Sequence, residues 1–241
     1  MRINTPEELA KYIDFSNLDN TATKKDIEEF CQTAKKWGFY SVVISPIYVK
    51  LAKKLLKDSS IKIGTVIGFP LGFTDTQVKV KEAEIAIEDG ADEIDMVVNI
   101  PAFKNGDYDA VKEDIEAIRS VIGNRILKVI IETSLLNEGE IKKISQEINK
   151  TSADFIKTNT GFNGINTFNE MVLYLQIIKT AGSEKSMKAS GGIKDYKTIN
   201  RLIAAGATRI GTSSGDIIVE EYKTLLENET YQPKPLNIPK A

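Results

Sequence analysis

Stretches patterned as buried strands alternate with stretches patterned as amphipathic helices eight times along this chain, and few folds can use such an order. The spacing predicts strands over 12–16, 41–45, 62–68, 93–99, 127–133, 155–158, 187–189 and 209–212. It predicts helices over 24–37, 48–57, 76–88, 107–122, 138–148, 167–179, 196–204 and 216–227. Thr23, Asp75 and Asp195 stand where helices begin, and Gly38, Gly90 and Gly206 where helices end. Eight strand–helix units in 241 residues match the size and order of a closed (β/α)8 TIM barrel, an α/β fold in one domain. An open, doubly wound sheet shares the alternation and stays open as the other reading. Residues 1–228 are expected to form the barrel. Residues 229–241 carry three of the seven prolines and read as a tail, since proline removes a backbone donor and stops helices.

Period two separates the faces of each strand. Ile94, Met96 and Val98 oppose Glu93, Asp95, Val97 and Asn99; Leu127, Val129 and Ile131 oppose Lys128, Ile130 and Glu132. The apolar faces should meet the helices, which turns Asp95, Lys128, Glu132 and Lys157 into the barrel. A barrel interior is packed rather than wet, so inward charges must satisfy one another near the active end. Burying a lone charge is costly enough to force the group neutral. Asp95, Lys157 and Lys188 are therefore paired, used, or both.

The chain has no histidine, so acid–base work near neutral pH would fall to lysines and carboxylates with shifted pKa. Lys157 closes an apolar strand and leads into Thr-Asn-Thr-Gly, a sequence suited to a ligand-facing loop. A lysine attacks a carbonyl only as the free amine. Its reference pKa of about 10.4 must fall by about 3 units, roughly 4 kcal/mol, before that form is common at neutral pH. Burial and a neighbouring cation both act in this direction, and Lys188 near the end of the next strand could supply the cation. One strand-end lysine among 32 basic residues would mean little; two on adjacent strands, each entering a small-residue turn, mean more. Two readings stay open for Asp95, an ion pair with Lys128 and a part in orienting water or relaying a proton.

Ser190-Gly-Gly-Ile-Lys194 and Gly211-Thr-Ser-Ser-Gly215 follow the seventh and eighth strands, where phosphate commonly binds in a TIM barrel. Glycines let backbone N–H groups approach an anion, and a helix N-terminus adds a favourable dipole. Ordinary glycine turns are the alternative. Gly68-Phe-Pro-Leu-Gly-Phe73 reads as a rigid structural turn, and Trp37, Phe39 and Cys31 as core.

Other classes are disfavoured. A net charge of −2 without a basic block argues against nucleic acid as partner. The first residues lack the apolar core of a signal peptide, and no apolar run approaches the roughly 20 residues that cross a bilayer. A cytoplasmic protein without membrane partners is expected. A single cysteine allows no intrachain disulfide and no cysteine metal cluster, and neither metal nor cofactor is expected.

Phe155-Ile-Lys-Thr-Asn-Thr-Gly-Phe162, Lys188-Ala-Ser-Gly-Gly-Ile193, Glu93-Ile-Asp-Met-Val-Val-Asn99, Val66-Ile-Gly-Phe-Pro-Leu-Gly72 and Arg209-Ile-Gly-Thr-Ser-Ser-Gly215 together resemble the 2-deoxyribose-5-phosphate aldolase family. With Leu127-Lys-Val-Ile-Ile-Glu-Thr133 and Tyr12-Ile-Asp14, the likeness runs in order from about residue 10 to about residue 220. It implies a (β/α)8 class I aldolase that needs no metal and is commonly a dimer or tetramer. It further implies that Lys157 forms a Schiff base, that Lys188 lowers its pKa and that Asp95 assists proton transfer. Small sugar-phosphate and aldehyde substrates follow from the same likeness. Gly161, Gly191, Gly192, Gly211, Ser213 and Ser214 match phosphate-binding loops, and Asp14, Lys128 and Thr160 match pocket positions. The chain departs from the family pattern at residues 15–20 and at Asn159, and Tyr231 is a distant substitute for a C-terminal tyrosine. Another phosphorylated aldehyde, or a weakly catalytic sugar-phosphate binding barrel, remain as alternatives.

Overall fold

The computed structural model describes residues 3–228 and Pro233. Eight parallel strands close on themselves in sequence order, which decides between the closed barrel and the open sheet. They are β1 (Ile13–Asn17), β2 (Ser41–Ile44), β3 (Lys62–Ile67), β4 (Glu93–Val97), β5 (Ile126–Ile130), β6 (Phe155–Lys157), β7 (Ser186–Ser190) and β8 (Arg209–Thr212). The helices are α1 (Pro6–Ala10), α2 (Lys24–Trp37), α3 (Val49–Leu55), α4 (Thr76–Glu88), α5 (Ile100–Lys104), α6 (Tyr108–Ile122), α7 (Glu138–Asn149), α8 (Phe168–Thr180), α9 (Tyr196–Ala204) and α10 (Gly215–Glu227). The tail from residue 229 onward, Tyr231 included, lies outside the described residues apart from Pro233.

Local chemistry explains the element ends. Thr23 and Asp26 form a reciprocal capping box that starts α2, and Gly38 ends it in the left-handed conformation at φ 64°. Asp75 and Asp195 cap α4 and α9 as the sequence suggests. Gly90 and Gly206 sit one residue later than expected, after Asp89 and Ala205. Two short helices are not anticipated by periodicity. In α5, Asn99 accepts from the Ala102 N–H and Pro101 occupies the first turn, where a missing donor is harmless. That cap ends β4 at Val97 rather than Asn99. Similarly, α1 is nucleated by Thr5 and Pro6 and buries Leu9 and Ala10.

The main core lies between strands and helices. Ile94, Met96, Val98, Leu127, Val129 and Ile131 all join it, as their alternation requires. Val43, Val66, Val97 and Ile130 are buried but separate from that core. They occupy the inward positions of β2 to β5 and form the apolar half of the barrel lumen. The other half is charged.

Among the described residues, one buried ion pair sits outside the lumen. Lys79 of α4 reaches Asp114 of α6 at 2.6 Å, both sealed from solvent, and also donates to the Val97 carbonyl at the end of β4. Its aliphatic stem packs under Gly68, where a Cβ would lie 2.7 Å from Lys79 Cε. The pair therefore ties two helices to the end of the strand that carries Asp95. Lys79→Met should lower the unfolding free energy by about 3–5 kcal/mol, because Asp114 is left charged and dry. Adding Asp114→Leu should recover most of that loss. Urea unfolding followed by circular dichroism reads both, and a double variant as weak as the single one would sink this account.

Candidate active site

Strand register brings the charged residues together. Asp95 of β4 lies beside Lys128 of β5, and Lys157 of β6 beside Lys188 of β7, which in turn lies beside Arg209 of β8. Inward-facing side chains on successive strands thus converge on one axis. Asp95 is the hub: Oδ1 accepts from Lys128 at 2.9 Å, and Oδ2 accepts from both Lys157 and Lys188 at 2.8 Å. Below it, Lys128 donates to Glu93, and Arg209 bridges Glu93 and Asp14. Ser41 adds a 2.6 Å hydrogen bond to Asp14 Oδ1. Lys188 Nζ lies 2.6 Å from Asp14 Oδ2, an ion pair without the alignment of a hydrogen bond.

Among the described residues, three carboxylates (Asp14, Glu93, Asp95) face four bases (Lys128, Lys157, Lys188, Arg209), all of them buried. With every group ionised the lumen holds one unmatched positive charge. A guanidinium does not release its proton in proteins. Lys128 is sealed and held above the ordinary lysine pKa: burial opposes the charge, and Asp95 and Glu93 more than compensate. Asp14 and Asp95 both resist burial and are driven below the usual carboxylate range, Asp14 chiefly by Lys188 and Arg209, Asp95 by Lys128, Lys157 and Lys188. Lys157 is the base that gives way, with its pKa lowered to about 8. Burial is the largest cause, Asp95 opposes it, and the Lys188 and Lys128 ammonium groups reinforce it. The expected cationic neighbour is therefore present but second to desolvation.

Lys157 also has access. It lies at the floor of a cavity of about 510 Å³ at the C-terminal mouth of the barrel, together with Thr160, Gly161, Ser190, Gly191, Gly192, Gly211 and Ser213. That face is where loops of a TIM barrel carry chemistry. Gly161, Gly191 and Gly192 have φ of 87°, 99° and 73°, a region that side chains rarely enter. Their N–H groups take no hydrogen bond among the described residues and so can turn to an anion. Gly211 has a different reason. A Cβ there would come within 3.0 Å of Lys188 Cε and Ser190 Cβ, so the missing side chain makes room for the lysine stem.

Several expected positions are displaced. Asp14 and Lys128 do not line the cavity; they are sealed beneath it within the ion network. Ser214 stands at the N-cap of α10, off the cavity wall. Glu132 leaves the polar layer altogether and binds the loop after β6. Asp95 pairs with Lys128 and also touches both other lysines, so its two readings are compatible. The sequence reading missed Arg209 and gave Glu93 no role. Each sits two residues before an inward position, Gly211 and Asp95, so period two was the available signal. Among the described residues no group of three or more histidine, cysteine or acidic side chains could hold a metal ion. Cys31 is buried, its thiol pushed up to about 11 by desolvation, and acts as core.

An amine that is partly free near neutral pH, seated under an open cavity and beside a fixed carboxylate, can add to an aldehyde. The reactive form is the unprotonated one, present above the pKa and lost below it. Reductive trapping of Lys157 by acetaldehyde should therefore quicken as pH rises and level off above about 8. Lys188→Leu removes a cation and leaves the pull of Asp95, so the midpoint should move up by about one unit. Peptide mapping of labelled protein across pH measures both, and an unmoved midpoint would refute the coupling.

The family model for DeoC/LacD family aldolases matches residues 9–218. A deoxyribose-phosphate aldolase of Thermococcus gammatolerans is 50% identical over 217 residues, covering 88% of this chain and 96% of that protein. The solved aldolase structure QR15 superposes with a TM-score of 0.85 and 44% identity, covering 90% of this chain and 96% of its own. A tetrameric deoxyribose phosphate aldolase of Aeropyrum pernix superposes with a TM-score of 0.82 and 30% identity over 93% and 94% of the two chains.

Proposed function

This chain belongs to the DeoC/LacD family of aldolases, and on that footing we propose that it reversibly cleaves 2-deoxy-D-ribose 5-phosphate to D-glyceraldehyde 3-phosphate and acetaldehyde. The observation that carries this reading is the amine of Lys157, lowered to about 8 and open to the cavity while its neighbours stay sealed.

The roles follow from position. Lys157 Nζ adds to C1 of the open-chain sugar, and loss of water leaves a protonated Schiff base. That positive nitrogen draws electrons from the C2–C3 bond as the C3 hydroxyl gives up its proton. Glyceraldehyde 3-phosphate departs, and the enamine left on Lys157 is protonated at C2 and hydrolysed to acetaldehyde. Asp95 Oδ2, which holds Lys157 at 2.8 Å before reaction, is released as that nitrogen loses its protons. It then accepts a proton while the Lys188 ammonium, 2.8 Å from the same oxygen, can return one. The iminium puts a positive charge back on the Lys157 nitrogen, beside the fixed Asp95 carboxylate that stabilises it. Gly161, Gly191, Gly192 and Ser213 lie on the cavity wall where backbone donors suit the 5-phosphate, and the N-terminus of α10 adds its dipole. Asp14 and Lys128 act from beneath by fixing Lys188 and Asp95. Residues 1–228 serve as one catalytic unit in this reading.

A homo-oligomer belongs to the same proposal, supported by the tetrameric Aeropyrum relative. So does a cytoplasmic location, because a phosphorylated sugar is retained on the side of the membrane where it is made. No described helix is long and apolar enough to cross a membrane.

Borohydride added during turnover should place the two-carbon adduct on Lys157, and Lys157→Leu should abolish both label and cleavage. A label on another lysine, or phosphate-ester binding in calorimetry without turnover, would overturn the mechanism. The second outcome would favour a binding barrel.

A further inference from the structure

Glu132 is the one non-glycine residue with a positive φ among the described residues, at φ 53° and ψ 66°. An L side chain is crowded in this region and persists there only when its surroundings hold it. The backbone on both sides is held by β6. The Ile131 N–H donates to the Lys157 carbonyl at 2.9 Å, and the Thr133 N–H to the Thr158 carbonyl at 3.0 Å. Two residues on one strand thus oppose one on the other, the count of a bulge, and bulges re-aim side chains. Here the bulge swings Glu132 out of the lumen, where Lys128 and Ile130 point, and over the neighbouring loop.

The Glu132 carboxylate is buried yet takes no part in the ion pairs of the lumen. Its partners are neutral donors. Oε1 accepts from the Thr160 N–H at 3.1 Å and, more weakly, from the Ser134 hydroxyl at 3.4 Å. Oε2 accepts from the Thr160 hydroxyl at 2.5 Å and from Asn163 Nδ2 at 3.0 Å. Asn163 Nδ2 also donates to the Pro70 carbonyl, so the clasp reaches the loop after β3. The Thr160 hydroxyl in turn accepts the Phe162 N–H at 3.0 Å. Thr160 and Phe162 are thereby fixed on either side of Gly161.

We propose that Glu132 is a positioning residue for the phosphate end of the cavity, holding the loop after β6 so that the Gly161 N–H faces the substrate's anion. This inference rests on the sugar-phosphate reading above. Glu132 does not line the cavity, so it acts only through Thr160 and its neighbours. A carboxylate is needed because both oxygens must accept. Glutamine would set an NH2 group against the Thr160 N–H, or against an Asn163 amide already committed to Pro70. Among the described residues this buried side chain has no ion-pair partner and meets four neutral donors from one loop and its neighbours, an arrangement that points to a geometric demand.

Two variants test this in the full chain. Glu132→Gln keeps the shape and spoils the acceptor pair. Glu132→Gly removes the clasp while suiting the left-handed backbone, which guards against a failure to fold. For both, KM toward 2-deoxyribose 5-phosphate should rise by about tenfold or more, with a smaller fall in kcat. Trapping of Lys157 by acetaldehyde, which carries no phosphate, should fall several times less than kcat/KM for the sugar phosphate. Calorimetric affinity for inorganic phosphate should weaken in parallel with KM. Equal losses for acetaldehyde and sugar phosphate, or unchanged KM and phosphate affinity in Glu132→Gly, would overturn the proposal. If the unmodified chain fails to cleave the sugar phosphate but the variants still lose phosphate affinity, the substrate reading falls and the positioning role stands.

Discussion

Seven ionisable side chains share the lumen of this barrel, and three carboxylates cannot neutralise four bases. Much of the site's chemistry follows from where that surplus charge is lost. Arg209 stacks on Tyr40 and cannot shed its proton; Lys128 and Lys188 are sealed among carboxylates. Lys157 alone of the four lies against the cavity and has Asp95 as its sole ion-pair partner among the described residues. Burial then disfavours its charge more than Asp95 supports it, and the nearby ammonium groups add to the imbalance. The reactive amine is thus the least compensated member of a network rather than a lysine tuned by one neighbour.

Such a network contributes little net stability, since desolvating several charges offsets much of their attraction. Its value lies in fixed geometry. Gly211 leaves space for the Lys188 stem, and Ser41 and Arg209 pin Asp14, which in turn faces Lys188. The loops above are pinned separately. Asn159 bonds Thr133, Ser134 and Asn166, and Ser190 bonds the Asn159 carbonyl, so three successive loops share one polar seam. Substrate therefore meets a floor held by ion pairs and walls held by hydrogen bonds between loops.

The barrel was legible because hydrophobic periodicity is a local property. Ile94, Met96 and Val98 declared an outward apolar face from sequence alone, and eight repeats of that pattern limited the architectures to two. Thr23 and Asp195 marked helix starts because a cap acts within three residues of itself. Boundaries failed where a short polar side chain altered the backbone. Asn99 turned the end of β4 into α5, and Glu132 ended the alternation of β5 in a left-handed turn.

Residue order alone determined the strand–helix repeat, the inward face shared by Asp95 and Lys128, and the placing of Lys157 and Lys188 near the ends of adjacent strands. Only the folded barrel decided which charges meet across the lumen. Closure brings β8 against β1, so Arg209 reaches Asp14 from 195 positions away in the chain. Exposure to the cavity likewise separates Lys157 from Lys128, two lysines that look alike in the strand pattern. Attraction and desolvation depend on distances and burial in three dimensions, and neither is carried by local sequence.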